Sequence, residues 1–403
     1  MTDTLVVRLG GEHVGELVRE RQKMRFHPLA GASRLSIAEQ AEGPRWPPAF
    51  TRAWFDGLLP EGDRRTAAEA LHNIARGDTF GLLGEIGWEC AGAVSVMPEG
   101  VDPGLATYEP LNELGIWSRL DALPRSVGGS DLDVRLSLGG AQDKILLARF
   151  DGEWNLPLEG APSTHILKPE PIAYPGLAAA EAWSLHAAAA VTLTASAELL
   201  LAPDHRPTLV VERYDREIRP DSIVRLHQED LCQVLGLPPE QKYVLPNSGE
   251  LSRLRRLADI LVARGVDAER ELIRLLEQVV VNVALANTDA HAKNISVVHV
   301  APSVVTLSPL YDVAPTLFFL PRQVHMGMPV GGNLRITEVT RGHLLAEALS
   351  WGVPRDLAVS TITEALERLD AGMKNADSVI DGISQELRAL VTRQYNRLAF
   401  GQD

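Results

Sequence analysis

The stretch LIRLLEQVVVNVALANTDAHAKNISVVHVAPSVVTLSPLYD, residues 272–312, joins a predicted helix, a polar loop and a predicted hairpin. Apolar residues recur in its first part at positions i, i+3, i+4, i+7, i+8 and i+11, which predicts an amphipathic helix. The β-branched runs 295–298 and 304–307 predict the two strands of a hairpin. The loop NTDAHAKN, residues 287–294, lies between helix and hairpin, and Asp312 follows the hairpin.

Asp289 and Asn294 in this loop have the residue types and the spacing that phosphoryl transfer requires. A carboxylate must orient the attacking hydroxyl, and an amide oxygen five residues later can ligate the Mg²⁺ that the nucleotide carries. Kinases place their main Mg²⁺ ligand after such a hairpin, where Asp312 stands. Because Mg²⁺ keeps several waters, Asn294 and Asp312 suffice as protein ligands. The order of the elements therefore predicts a kinase.

The same loop has a structural interpretation. D-x-x-x-x-N is a common pattern, and Asp289 and Asn294 could cap the helix and the strand as turn residues. His291 is read as a structural loop histidine in preference to a catalytic base. Lys293 either neutralises the transferred phosphate or is a solvated lysine. The order helix, loop, hairpin and Asp312 is more specific than the loop alone and favours the functional interpretation.

A second candidate segment is SLGGAQDK, residues 137–144. Small residues allow backbone N–H groups to approach phosphate oxygens closely. The segment matches neither G-x-x-x-x-G-K-[ST] nor G-x-G-x-x-G. Alone, it is a weak signal, because Gly-Gly before a strand is usually just a turn.

Two further segments indicate a kinase only in combination with the loop 287–294 and the segment 137–144. Lys168 ends an apolar strand, from which it could reach the α- and β-phosphates, and Glu181 in an Ala-rich helical stretch could orient it. The alternatives are a surface lysine with its aliphatic stem buried and a solvated glutamate. The backbone of Glu212 to Tyr214, at the end of another apolar strand, could pair with an adenine edge. That segment is otherwise an ordinary strand end with a salt bridge.

The distribution of patterns along the 403 residues predicts several packed units. Residues 1–105 are rich in predicted strands, residues 106–225 are mixed, and residues 226–403 are mainly helical with one hairpin. Helical stripes at 361–373 and 379–399 complete the last segment. An active site between a mixed lobe and a helical lobe would fit this order.

The composition of the chain limits which binding partners and which cellular compartment are expected. Lys plus Arg number 39 and Asp plus Glu number 53, which gives a formal charge of −14. Proteins that bind nucleic acid by themselves are normally basic, so this chain would need a basic partner or patch. The sequence predicts no spanning helix and no secretory signal. The only cysteines, Cys90 and Cys232, predict no disulfide framework and a reducing cytoplasm.

Taken together, these motifs resemble the HipA family of serine/threonine kinases, the toxins of bacterial HipBA toxin–antitoxin modules. The matching segments occur in family order from about residue 1 to about residue 315. Residues 320 onward match only as a helical region. The segments are FDGLLP (55–60), GAV (92–94), SLGGAQDK (137–144), THILK (164–168), VERYD (211–215), QEDLCQ (228–233), TDAHAKN (288–294) and YD (311–312).

The resemblance implies an α+β, two-lobed, protein-kinase-like fold that uses ATP and Mg²⁺. It has a β-rich N-terminal subdomain, a mixed N-lobe and a mainly helical C-lobe. Asp289 would be the catalytic carboxylate, Asn294 and Asp312 the metal ligands, Glu181 the lysine-orienting residue and Ser137 the autophosphorylation position. The implied nucleotide-binding residues are Leu138, Gly139, Gly140, Ala141, Gln142, Asp143, Lys144, Lys168, Glu212, Arg213, Tyr214, His291, Lys293, Asn294 and Asp312.

The resemblance also implies a biological role. Members of the family phosphorylate an aminoacyl-tRNA synthetase, of which glutamyl-tRNA synthetase is the first expectation, and thereby arrest growth. A helix-turn-helix antitoxin dimer of the HipB type binds the toxin and represses the operon. The charge of −14 agrees with an antitoxin that makes most of the DNA contacts. Two rival functions remain, a small-molecule kinase of the same fold and a non-catalytic corepressor scaffold.

Overall fold

The computed structural model describes residues 3–21, 23–101, 104–123, 143–202, 206–220, 222–246 and 252–401. The chain divides into two compact units, Met1–Pro169 with Val210–Pro239 and Glu170–Leu209 with Glu240–Asp403. Strands and helices occur in both units, so the predicted α+β class is confirmed. The segment boundaries near residues 105 and 225 stay predictions.

Strands and helices are interspersed as far as residue 340, and helices predominate after it. The strands are β1 (Asp3–Leu9), β2 (Glu12–Glu20), β3 (Lys23–Pro28), β4 (Val94–Pro98), β5 (Thr107–Pro110), β6 (Ile145–Phe150), β7 (Glu153–Leu158), β8 (His165–Pro169), β9 (Ala197–Leu201), β10 (Pro207–Glu212), β11 (Arg216–Arg219), β12 (Ser222–Arg225), β13 (Gln228–Asp230), β14 (Ser296–Ala301), β15 (Val304–Leu307), β16 (His325–Val330) and β17 (Asn333–Arg335). The helices are α1 (Pro48–Asp56), α2 (Gly62–Leu71), α3 (Thr79–Ile86), α4 (Glu113–Ala122), α5 (Leu177–Ala188), α6 (Leu231–Leu235), α7 (Arg253–Arg264), α8 (Ala268–Ala284), α9 (Thr316–Phe319), α10 (Arg341–Ser350), α11 (Arg355–Val379) and α12 (Gln385–Phe400).

The first unit begins with an antiparallel sheet in the order β3-β2-β1-β4. Leu5 and Val7 alternate along β1 and are buried, as the period of two in a strand requires. The ring of Phe26 on β3 lies 5.7 Å from that of Phe55 on α1. Gly15 is required in β2 because a Cβ there would lie 2.5 Å from the Phe26 ring.

A second sheet in the first unit places β5, β7, β6, β8 and β10 side by side in this order. Strands β6 and β8 are antiparallel, with Leu146 opposite Ile166. The buried residues Leu147 and Leu167 anchor these two central strands. This sheet holds Lys168 near the end of β8 and Glu212 at the end of β10.

The second unit is mainly helical, and its long helix α11 packs against α5 and α8. The approach to α5 is close, since a Cβ at Gly372 would overlap the Ala187 carbonyl oxygen. The alanines of α5 present little side-chain volume and permit this approach. The predicted hairpin is confirmed as β14 and β15, with Val297 opposite Leu307.

The boundary between the last two helices differs from the sequence prediction of a helix over 379–399. Helix α11 continues to Val379, and α12 begins only at Gln385. The reason is an N-cap, because the Ser384 hydroxyl accepts a hydrogen bond from the Leu387 N–H at 3.1 Å.

Among the described helices, none combines the length and the apolar character that a bilayer span requires.

Candidate active site

The loop 287–294 follows helix α8, which ends at Ala284. Ala286, two residues after the helix, has a left-handed φ of 58°. Within the loop, the His291 N–H donates to the Asp289 carbonyl at 2.7 Å, and the Asn294 N–H donates to the His291 carbonyl at 2.9 Å. These bonds fold the loop into tight turns before strand β14.

Asn287 and Thr316 hold the first half of the loop. The Asn287 side chain donates to the Asn282 side chain on α8 at 2.7 Å, and its oxygen accepts the Asp289 N–H at 3.1 Å. The Thr316 hydroxyl oxygen on α9 accepts the Thr288 N–H at 2.7 Å and lies 3.3 Å from the Asp289 nitrogen. The backbone on both sides of the Thr288–Asp289 peptide is thus fixed by the Thr316 side chain from α9 and by the Asn287 side chain of the loop, which Asn282 on α8 holds in place.

A Thr316→Val substitution should lower the free energy of unfolding by about 1–3 kcal/mol, since it leaves the buried Thr288 N–H without its acceptor. Urea unfolding measures the loss. Thr316→Ser keeps the hydroxyl and is the matched control, which should retain most of the stability. If Thr316→Val keeps the wild-type stability and Thr316→Ser loses it, the methyl packing matters and the hydroxyl does not.

The Asp289 carboxylate and the Asn294 amide each have a defined partner. Asp289 Oδ1 accepts a hydrogen bond from the Tyr243 hydroxyl at 2.5 Å. Asn294 Nδ2 donates to the Asp289 backbone carbonyl at 3.0 Å. Because this bond uses the amide nitrogen, the amide oxygen of Asn294 is the atom that can ligate a cation. Carboxylate and amide oxygens are the ligands that Mg²⁺ takes.

Asp312 lies in a segment that is tied to the loop through its neighbour. The Tyr311 hydroxyl donates to the Lys293 carbonyl at 2.8 Å and lies 2.7 Å from the Ser296 hydroxyl. Asp312 itself has a left-handed φ of 57°. Such a conformation costs a non-glycine residue free energy and is concentrated at functional sites. Tyr311 therefore couples the backbone positions of the two predicted metal ligands.

His291 is a packed side chain. Its ring meets the ring of Tyr243 edge-on, with centroids 5.0 Å apart, and the residue is buried. Gly327 also lies close to this residue, since a Cβ at Gly327 would be 2.7 Å from the His291 Cα. These contacts are those of a structural loop histidine, and the nucleotide-binding roles of His291 and Lys293 stay predictions.

Lys168 and Glu181 are both buried, with 8% and 4% of their surface exposed. These values contradict the alternatives of a surface lysine and a solvated glutamate. Lysine and glutamate are rarely buried to this degree without partners. Lys168 belongs to the first unit and Glu181 to the second. Their roles toward phosphate stay predictions.

The segment Glu212 to Tyr214 lies at the end of strand β10 and forms ion pairs. This agrees with its interpretation as an ordinary strand end with a salt bridge. The Arg213 N–H donates to the Thr164 carbonyl at 2.9 Å, so it belongs to the sheet. The Arg213 guanidinium lies 3.0 Å from Glu89 and 2.8 Å from Asp215. The Tyr214 hydroxyl donates to the Gln228 side chain. An adenine role for this segment stays a prediction, and the Arg213 N–H is not available for it.

Glu89, Arg213, Asp215 and Arg216 form a buried cluster of charges in the first unit, which we call the Glu89 cluster. Glu89 also accepts hydrogen bonds from Arg216 at 2.7 Å and from the Ser163 N–H at 3.1 Å. Burial by itself raises the pKa of Glu89, but Arg213, Arg216 and Arg225 outweigh it and hold the pKa below 4.5. The same balance of burial and arginines holds the pKa of Asp215 below its usual range.

The remaining predicted site residues belong to the segment 137–144. Asp143 forms an ion pair with Arg64 at 3.6 Å, and Lys144 directly precedes β6. Ser137, Leu138, Gly139, Gly140, Ala141 and Gln142 lie outside the described residues.

Tyr243, Thr316 and Glu89 contact the predicted site residues and were not identified from the sequence. Tyr243 is 46 residues from Asp289, Thr316 is 27 residues from it, and Glu89 is 124 residues from Arg213. No periodicity or motif connects residues at such separations.

Comparison with known proteins relates most of the chain to one family. Residues 136–373 match the HipA-like C-terminal domain, and residues 5–97 match the HipA N-terminal domain. The chain is 35% identical to the "Putative kinase Y4mE" of Sinorhizobium fredii, over 78% of this chain and 76% of that protein. It is 24% identical to the "Serine/threonine-protein kinase toxin HipA" of Shewanella oneidensis, over 85% and 80% of the two chains.

A solved structure shows the same fold. The chain superimposes on one from the toxin–antitoxin complex of Shewanella oneidensis HipA, HipB and operator DNA with a TM-score of 0.81. The superposition covers 98% of this chain and 96% of that chain, at 23% identity. The region matched by the C-terminal domain contains Lys168, the loop 287–294 and Asp312.

Proposed function

This chain belongs to the HipA family of protein kinases, and we propose that it is the serine/threonine kinase toxin of a type II toxin–antitoxin module. The observation that carries the proposal is the arrangement of the loop 287–294. Hydrogen bonds to the side chains of Asn287 and Thr316 fix the backbone at Thr288 and Asp289, and Tyr311 links the loop to the segment of Asp312. A carboxylate, an amide oxygen and a second carboxylate are thereby held on one packed framework.

In the proposed mechanism, Asp289 orients the serine or threonine hydroxyl of the substrate protein and accepts its proton late in a loose transition state. Asn294 and Asp312 would hold Mg²⁺, which when bound with ATP offsets the charge of the triphosphate. Lys168, oriented by Glu181, would contact the phosphates together with the segment 137–144. Autophosphorylation at Ser137 is part of the proposal and rests on the family resemblance.

The proposed partners follow from the family and from the charge. A HipB-like helix-turn-helix dimer would neutralise the toxin and bind the operator with it. At a net charge of −14, the isolated chain should bind DNA weakly at physiological salt. The proposed substrate is a cytoplasmic aminoacyl-tRNA synthetase, with glutamyl-tRNA synthetase as the first choice, whose phosphorylation would stop translation and growth.

The proposal is tested by expressing the wild-type chain and an Asp289→Asn variant without the antitoxin and comparing growth and phosphopeptides. The proposal expects growth arrest and new phosphoserine or phosphothreonine, including on a tRNA synthetase and on Ser137, in the wild type only. Phosphorylation of a metabolite or an antibiotic alone would favour the small-molecule kinase. Equal arrest by both chains would favour the non-catalytic scaffold.

Removing a metal ligand should weaken nucleotide binding as well as turnover. Asp312→Asn and Asn294→Ala should each reduce the affinity for ATP in the presence of Mg²⁺ by about tenfold or more, because the cation contributes several kcal/mol to phosphate binding. Titration calorimetry with and without Mg²⁺ measures this difference. If both variants bind Mg-ATP like the wild type, the ligands lie elsewhere.

A further inference from the structure

We propose that Tyr243 is a positioning residue for catalysis, whose hydroxyl fixes the rotamer of the Asp289 carboxylate. This inference rests on the proposed role of Asp289. The hydroxyl lies 2.5 Å from Asp289 Oδ1, within the range of a hydrogen bond between a hydroxyl and a charged carboxylate. Because the two oxygens belong to one rigid planar group, a bond to Oδ1 also sets the position of Oδ2.

The backbone around Tyr243 is held against the catalytic loop on both sides. The Lys242 carbonyl accepts the Ala292 N–H at 3.1 Å, and the Val244 N–H donates to the Gly327 carbonyl at 2.9 Å. Gly327 in turn donates its N–H to the Thr288 carbonyl at 2.9 Å. The tyrosine therefore cannot move relative to the loop without breaking several backbone hydrogen bonds.

Two other contacts restrict the segment and the ring. The Arg253 guanidinium on α7 donates to the Gln241 and Lys242 carbonyls at 2.6 and 3.0 Å. The Tyr243 ring packs edge-on against His291 at an interplanar angle of 87°. With its backbone and its ring both restricted, the hydroxyl is presented to Asp289 from a fixed position.

This arrangement holds Asp289 at two points. Its N–H is bound by the Asn287 side chain, and its carboxylate is bound by Tyr243. The backbone bond alone leaves the two side-chain torsions of Asp289 undetermined, and the Tyr243 bond restricts them. Correct orientation of a reacting group accounts for a large part of an enzyme's rate enhancement, and a small displacement of that group lowers the rate strongly.

A Tyr243→Phe variant removes the hydroxyl and keeps the ring contact with His291, so it should fold. We expect kcat to fall about tenfold to a hundredfold, as the loss of a hydrogen bond to a charged acceptor implies. KM for ATP and the affinity for Mg-ATP should change by less than about twofold, because the hydroxyl bonds to Asp289, whose proposed role is toward the substrate hydroxyl and not toward the nucleotide. A fall in kcat with little change in KM is not expected if the substitution only disturbs the structure.

Tyr395→Phe is the matched control. The Tyr395 hydroxyl on α12 donates to the Leu366 carbonyl on α11 at 3.1 Å, so this variant also loses one hydroxyl-donated bond in the same unit. It should lower the unfolding temperature without lowering kcat. If both variants lose kcat in proportion to their stability, Tyr243 has only a structural role and the inference is wrong.

A double-mutant cycle identifies the partner. Urea unfolding of Tyr243→Phe, Asp289→Ala and the double variant should show that their effects on stability are not additive, since each substitution removes the same bond. If Asp289→Asn keeps full activity, the proposed function itself fails. If Asp289→Asn is inactive and Tyr243→Phe turns over like the wild type, only the positioning role fails. Phosphate on Tyr243 after incubation with Mg-ATP would make it an acceptor and would also overturn that role.

Discussion

An Asp289→Asn variant should bind Mg-ATP with nearly unchanged affinity and transfer its phosphoryl group about a hundredfold to ten thousandfold more slowly, the range for loss of a general base. Asparagine has the same shape and can still accept the Tyr243 hydrogen bond. Its amide cannot accept the proton of the substrate hydroxyl. The backbone bonds from Asn287 and Thr316 do not involve the side chain of residue 289 and should survive.

Single-turnover transfer of the γ-phosphoryl group measures this effect, with nucleotide affinity determined separately by calorimetry. Asp381→Asn, at an exposed position between α11 and α12, makes the same change in charge away from the loop and should leave the rate unaltered. Transfer at the wild-type rate by Asp289→Asn would remove Asp289 from the mechanism.

The parts of the site that the sequence predicts are those encoded locally. Helix α8, the loop 287–294, the hairpin and Asp312 are consecutive, and each has its own periodicity or residue pattern. Tyr243 and Thr316 reach the loop from residues 46 and 27 positions away from Asp289. Their contribution depends on how the second unit folds, and a tyrosine or threonine outside a motif gives no sign of it.

The Glu89 cluster shows the same limit in the first unit. VERYD, residues 211–215, suggests a strand end with a salt bridge, and the pair between Arg213 and Asp215 fits that local interpretation. The dominant acceptor, Glu89, comes from a position 124 residues earlier. Its sequence context, WEC, gives no indication that the carboxylate is buried, because burial is a property of the assembled sheets.

Glu89→Gln should lower the free energy of unfolding by about 3–5 kcal/mol, the usual cost of removing one partner from a buried charge cluster. Glu89 is fully buried and lies 3.0 Å from Arg213 and 2.7 Å from Arg216. The glutamine keeps the size of the side chain but leaves these two guanidinium groups with Asp215 as the only described carboxylate of the cluster. Urea unfolding at neutral pH measures the loss.

The pH dependence of stability tests whether the charge of Glu89 is responsible. The pKa of Glu89 is held below 4.5 in the folded chain, so folding favours the ionised form. A carboxyl group of this kind contributes stability at pH values above its unfolded pKa and loses it as the pH falls through the folded value. The wild-type free energy of unfolding should therefore decline as the pH falls below about 4.5, and Glu89→Gln should show a shallower decline.

Glu153→Gln, at an exposed position that begins β7, is the control and should follow the wild-type curve. If Glu89→Gln declines as steeply as the wild type, the cluster is stabilised by packing and its charges contribute little.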